Sequence, residues 1–193
     1  MGDGSERLFW VGMFRRLRAD EIELRVGSVM DGAATLLLYQ NARAAMDILD
    51  ETVGPLHWQR VHTRENQNCK IGIYNQEIGE WVWKEDVGTP SNTEQEKGLA
   101  SDSFKRAAVN WGIGRELYSA PRIRIECETK RKENGYGYEL KNKWQFWGAE
   151  VRRIEYGEDG KIEVLEIWQE KGRGLPKIIF NYNTRSGDTP DVF

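Results

Sequence analysis

The sequence predicts an α+β protein in which an antiparallel β-sheet is packed by a long helix and followed by a β-rich extension. Three observations lead there. "SDSFKRAAVNWGIG" (Ser101–Gly114) spaces Phe104, Ala107, Ala108 and Trp111 as one helical face. "CKIGIY" and "RIRIECE" alternate apolar and polar residues as half-buried strands do. The order helix, helix, strands, long helix, strands lacks the regular alternation of a parallel βαβ sheet.

Taken in order, "LFWVGMF" near the start, within an arm over residues 1–14, is an apolar run too short for a membrane that reads as a strand, a packed arm or a patch covered by a neighbouring subunit. "RADEIELRV" (Arg18–Val26) reads as a short helix with early acids and Arg25 late, as the helix dipole prefers. "ATLLLY" (Ala34–Tyr39) is a brief buried strand or a turn into the next helix. "NARAAMDILDETVGP" is a helix with Asn41 as N-cap and Gly54-Pro55 as its stop. Its expected inner face is Ala42, Ala45, Met46, Leu49 and Val53.

"WQRVHTR", "CKIGIY" and "EWVWKEDVG" read as strands, the last two joined by the turn "NQEIG". Thr93 and Glu96 fit a capping box opening the long helix, and Gly112 closes it. After Pro121 the chain reads as strands. "KWQFWGAEVRRIEY", "KIEVLEIW" and "KIIFNY" form an antiparallel meander through residues 122–183. "TKRKENGYGYELKNK" is a basic, mobile loop, and residues 184–193 have the composition of a flexible tail.

Composition bounds the function. Apolar residues make up 39% and charged residues 31%, as expected of a soluble globular protein. "MGDGSE" lacks the layout of a secretory signal, and Glu6 breaks the myristoylation pattern, so a cytoplasmic location is expected. Cys69 and Cys127 are expected to be reduced and buried, and with His57 and His62 they make no zinc set. The net charge of −3 hides an asymmetry: residues 101–153 carry twelve Lys and Arg against seven Asp and Glu. Such a basic middle can form a local anion-binding stripe.

Several chemistries are set aside. The glycines of "GIGRE" follow a helix instead of opening one, so no dinucleotide or Walker loop is present. Asp86, Glu94, Glu96 and Lys97 are the raw material of a two-metal nuclease. The restriction-type pattern, however, needs an acid two positions before the lysine, where Gln95 stands. No Ser/His/Asp arrangement suggests itself, and no cofactor is implied. The nucleic-acid reading is left. On a helical wheel Lys97, Ser101 and Lys105 share a stripe with Arg106 beside it, opposite Ala100, Phe104, Ala107 and Trp111. Such a helix either lines a groove with cations or simply shows a wet face.

"ADEIELRV", "LLLYQNARAAMDILDETVGPLHWQ", "WKEDVGTP" and "EKGLASDSFKRAAVNWGIGRELY" together resemble the annealing domain of the Rad-fifty-two recombination family, in its phage and bacterial style. The resemblance runs from about Leu17 to Pro121, giving an annealing core over 15–121. It implies subunits assembled into a ring or related oligomer. It also implies an outer groove that holds single-stranded DNA and anneals complementary strands without ATP, in homologous recombination and repair. It assigns DNA-binding roles to Arg25, Tyr39, Lys105 and Arg106, with Lys97 on the same helix. A third cation carried by some members three residues past the Lys-Arg pair is Val109 here. The implied partners are single-stranded DNA, further copies of the chain, and a phage exonuclease or a host single-strand binding protein. Bond-making catalysis and membrane association are not expected. A metal-dependent nuclease using Asp86 and Glu96, and a structural oligomer that binds no DNA, are the rival readings.

Overall fold

The computed structural model describes residues 14–89, 95–170 and 175–186; the side chains of 95–97 lie outside the description. The chain divides into two compact units interleaved in sequence. One comprises residues 1–17 and 41–115, the other 18–40 and 116–193.

In the first unit, helix α1 (Ala42–Val53) leads into three antiparallel strands, β3 (Trp58–Thr63), β4 (Asn68–Asn75) and β5 (Glu80–Val87). The 17-residue helix α2 (Gln95–Trp111) packs on this sheet. Asn41 caps α1 as expected, its side chain accepting a hydrogen bond from the Arg43 N–H at 2.9 Å. Gly54 ends α1 with φ of 86°, a left-handed conformation that glycine adopts without Cβ strain. The buried face of α1 is Ala44, Ala45, Ile48 and Leu49. It is rotated from the expected one, because Ile48 anchors the stripe in place of Met46.

Pairing puts Cys69, Ile71 and Ile73 of β4 opposite Asp86, Lys84 and Val82 of β5. These side chains share the face that receives α2, whose Phe104, Ala107 and Ala108 are fully buried. Burial raises the Cys69 thiol pKa to about 11, so it behaves as an inert core residue. Cys127 is half-buried, less enclosed than the expected core position. Closing α2, Gly112 has φ of 103°. The capping box expected at Thr93 lies outside the described residues.

Gly88, at the end of "EDVG", fixes how closely β5 and α2 approach. A Cβ there would lie 2.6 Å from the Ser103 nitrogen and 2.8 Å from the Leu99 carbonyl oxygen, both backbone atoms of α2. Backbone cannot rotate aside as a side chain can. Gly88→Ala is therefore expected to cost about 1–3 kcal/mol through overpacking. The midpoint of chemical denaturation checks this, and an unchanged midpoint would mean that the two elements separate freely.

The second unit holds the sheet β1-β2-β6, formed by β1 (Ile22–Met30), β2 (Ala33–Gln40) and β6 (Ile123–Glu126). The helix expected over Arg18–Val26 is corrected. Only Ala19–Glu21 form a 3₁₀ turn, and from Ile22 the chain is strand. The cause is the Asp31-Gly32 turn, with φ of 68° at Gly32, which folds β1 back on β2 as a hairpin. Paired residues on β2 outweigh the weak helical pattern of an isolated stretch.

Strands β9 (Ala149–Tyr156), β10 (Ile162–Gln169) and β11 (Lys177–Asn183) form the expected antiparallel meander. The "RIRIECE" strand does not join it but pairs with β2. The basic segment expected as a mobile loop is instead a hairpin of β7 (Thr129–Arg131) and β8 (Tyr138–Leu140). Asn134, Gly135 and Gly137 supply its turn, with positive φ at both glycines. Residues 184–186 make a 3₁₀ turn, while 1–13 and 187–193 lie outside the described residues. Among the described residues, no helix is long and apolar enough to cross a membrane.

Candidate nucleic-acid interface

The Lys105-Arg106 pair is split by the helix surface. Lys105 is buried, with 8% exposure, whereas the Arg106 side chain is about half exposed. Adjacent residues on an α-helix point about 100° apart, so one can turn inward while the other remains wet. Arg106 is not without an acidic partner: its Nε lies 3.2 Å from Asp86 Oδ1. Asp86 also accepts from its neighbour's Val87 N–H at 2.7 Å, and Asn110 Nδ2 lies 3.4 Å from its other oxygen. The carboxylate considered as a metal ligand is thus engaged with α2. Among the described residues, no group of three His, Cys, Asp or Glu side chains is placed to hold a metal ion.

The Arg106–Asp86 pair is a partly exposed ion pair, worth at most about 1 kcal/mol. An incoming phosphate can replace Asp86 on Arg106 at little expense. The pair therefore orients the guanidinium without committing it.

Further cations gather at the C-terminal end of α2. Lys84 Nζ donates to the Asn110 carbonyl at 2.9 Å and sits 4.4 Å from the centre of the Trp111 ring. Arg115 donates to the Val109 carbonyl from Nε at 3.2 Å and from Nη2 at 2.9 Å. Both satisfy carbonyls left open by the helix end and favour its negative pole. Burial, and then the neighbouring Arg115, lower the Lys84 pKa. Val109, where a third cation was missing, thus has a guanidinium on its backbone. Sequence reasoning missed both groups, because Lys84 sits on a different strand and Arg115 follows a glycine break. On β3, Arg60 lies 5.0 Å from the Phe104 ring centre.

Arg25 and Tyr39 belong to the other unit, where they meet. The Arg25 guanidinium lies 4.6 Å from the Tyr39 ring centre. Pairing sets Arg25 opposite Leu37 and Glu23 opposite Tyr39, so all four share one sheet face. Arg25 also reaches Glu23 at 3.5 Å. Lys97 lies within α2, but its side chain is outside the described residues. The structure thus brings Arg25 to Tyr39, and places Lys105 and Arg106 side by side on α2.

Residues 68–136 match the family model described as Rad52/22 family double-strand break repair protein. Over that stretch, the chain is similar to the Rad52/22 family. The matched stretch takes in β4, β5, α2, β6 and β7, and so includes the "EDVG" and "SDSFKRA" motifs. The earlier motifs, with Arg25 and Tyr39, precede it. Two curated relatives are each called single-stranded DNA-binding protein DdrA. The protein from Deinococcus radiodurans is 34% identical over 108 residues, covering 51% of this chain and 48% of the relative. That from Deinococcus deserti is 32% identical over 109 residues, covering 52% and 50%. The chain spans about half the length of the curated relatives it matches.

Proposed function

We propose that this chain binds single-stranded DNA and anneals complementary strands, without ATP, in homologous recombination and repair. The observation that carries this reading is the Rad52/22 match across α2, the helix that presents Arg106 beside Asp86. The names of the Deinococcus relatives support the ligand class. Arg25, Tyr39, Lys97, Lys105 and Arg106 are the proposed DNA contacts. In this mechanism the cations hold one strand by its phosphates and leave the base edges open. Sequence is then read by the complementary strand, and the duplex is released once pairing satisfies the bases.

The chain is proposed to work inside a cell, bacterial or phage-infected, as a ring or related homo-oligomer. An exonuclease or a single-strand binding protein would supply its substrate. Bond-breaking chemistry forms no part of the reading. Annealing of complementary labelled oligonucleotides is expected to proceed in EDTA and without nucleotide. Strand cleavage in magnesium, abolished by Glu96→Ala, would replace this function with that of a nuclease. Particle size in solution tests the assembly, since a monomer that anneals would remove the ring from the proposal.

A further inference from the structure

The region after Pro121 carries two tryptophans that the core does not use. Trp144 is 73% exposed and Trp147 71% exposed. Large indoles left in water are normally loose features of a mobile loop, but this loop is pinned. Gln169, 2% exposed on β10, donates from Nε2 to the Gln145 carbonyl at 2.7 Å and to the Trp147 carbonyl at 3.0 Å. Asn142 Oδ1 accepts from the Trp144 N–H at 2.9 Å, and Trp147 N–H bonds the Trp144 carbonyl at 3.0 Å. A buried amide spent on two loop carbonyls fixes the backbone that presents both rings.

The surroundings are basic. Lys141 and Lys143 flank Asn142 directly before Trp144, and the β7–β8 hairpin that feeds the loop adds Lys130, Arg131 and Lys132. Glu128, Glu133 and Glu139 oppose these cations in part. Lys130 pairs with Glu139 at 3.0 Å, and Lys141 lies 3.5 Å from Glu128. Lys132 and Lys143 remain exposed.

We propose that Trp144 and Trp147 with Lys143 form a second contact site for single-stranded nucleic acid, separate in sequence from the family-matched stretch. Exposed rings stack on unpaired bases, and adjacent cations meet the phosphates. An apolar protein partner would cover the rings but bury the lysines beside them without anions, which is costly. A single strand satisfies both groups. This site rests on the reading that the chain binds single strands, and it gives the β-rich extension a part in holding them.

The test uses the full chain and a labelled oligothymidylate, comparing Trp144→Ala/Trp147→Ala with Trp144→Phe/Trp147→Phe and with Lys143→Ala. The alanine pair is expected to weaken binding about tenfold or more, and the phenylalanine pair to retain most of it. Lys143→Ala is expected to flatten the salt dependence. Melting temperature and particle size should stay as in the unaltered chain, because the rings are on the surface. Unchanged affinity in the folded alanine pair overturns the site. So does a smaller particle with undiminished affinity, which would make the rings a subunit contact. Loss of binding to anionic vesicles, with oligothymidylate binding intact, would make them a lipid contact and likewise overturn it. Failure of the unaltered chain to bind the oligonucleotide overturns this site and the proposed function together.

Discussion

Replacing Lys105 and Arg106 together by alanine is expected to weaken single-strand binding and to flatten its salt dependence. Each phosphate contact to a single strand contributes a slope of about −0.7 in log K against log salt, so loss of the half-exposed Arg106 should make the slope shallower by about 0.7, and any further change in the double variant reports on Lys105. The two positions differ in what else they do. Lys105 is buried, so its removal alters packing as well as charge, and a loss of stability must be measured alongside affinity. Arg106→Ala isolates the half-exposed cation, with an expected slope change of about 0.7. Asp86→Asn probes the same contact from the other side. With its acidic competitor neutralised, Arg106 should hold phosphate more tightly, and affinity should rise. If the folded Arg106→Ala protein kept both affinity and slope, Arg106 would be a structural partner of Asp86 and nothing more.

That ion pair also marks where sequence reasoning stops. The periodicity of α2 identified the centre of its buried face, because Phe104, Ala107 and Ala108 obey a local rule of spacing, but it gave Trp111 more burial than it has and left out Ser103. It could not show that Lys105 turns inward, nor that Asp86 reaches Arg106, since that contact joins a strand to a helix 20 residues away. Arg115 on the end of α2 was illegible for a similar reason. Its position depends on the backbone turning at Gly112 and Gly114, not on helical spacing.

The errors of fold have one physical origin. Taken alone, Arg18–Val26 has acids early and a cation late, while its conformation is set by pairing with β2 across the Asp31-Gly32 turn. The basic hairpin after Glu128 has the composition of a loop for the same reason. Three-residue strands leave almost no alternation to detect, yet Arg131 opposite Tyr138 and Lys130 opposite Glu139 suffice to pair them. Longer elements with strong alternation, such as β4 and β10, were legible because each turns several apolar side chains into a core.

Tyr39 offers the sharpest test of the proposed DNA contacts. It lies at the end of β2, one strand over from Arg25, whose guanidinium rests 4.6 Å from the ring centre. A cation held over an aromatic face is worth about 0.5–1 kcal/mol at an exposed site. The ring can therefore act in two ways, by stacking on a base or sugar itself or by holding Arg25 in place for a phosphate. Both need the ring and neither needs the hydroxyl, so Tyr39→Phe is expected to bind almost normally. Tyr39→Ala is expected to lose ~1–3 kcal/mol, the scale of an aromatic platform. Arg25→Ala in the Tyr39→Ala background separates the two modes. If the ring serves only to place Arg25, the second substitution adds little; if it contacts DNA directly, the two losses add. Equal damage from Phe and Ala would assign the contact to the hydroxyl. A fall in melting temperature with unaltered affinity would leave Tyr39 as packing alone, and would remove it from the proposed DNA contacts.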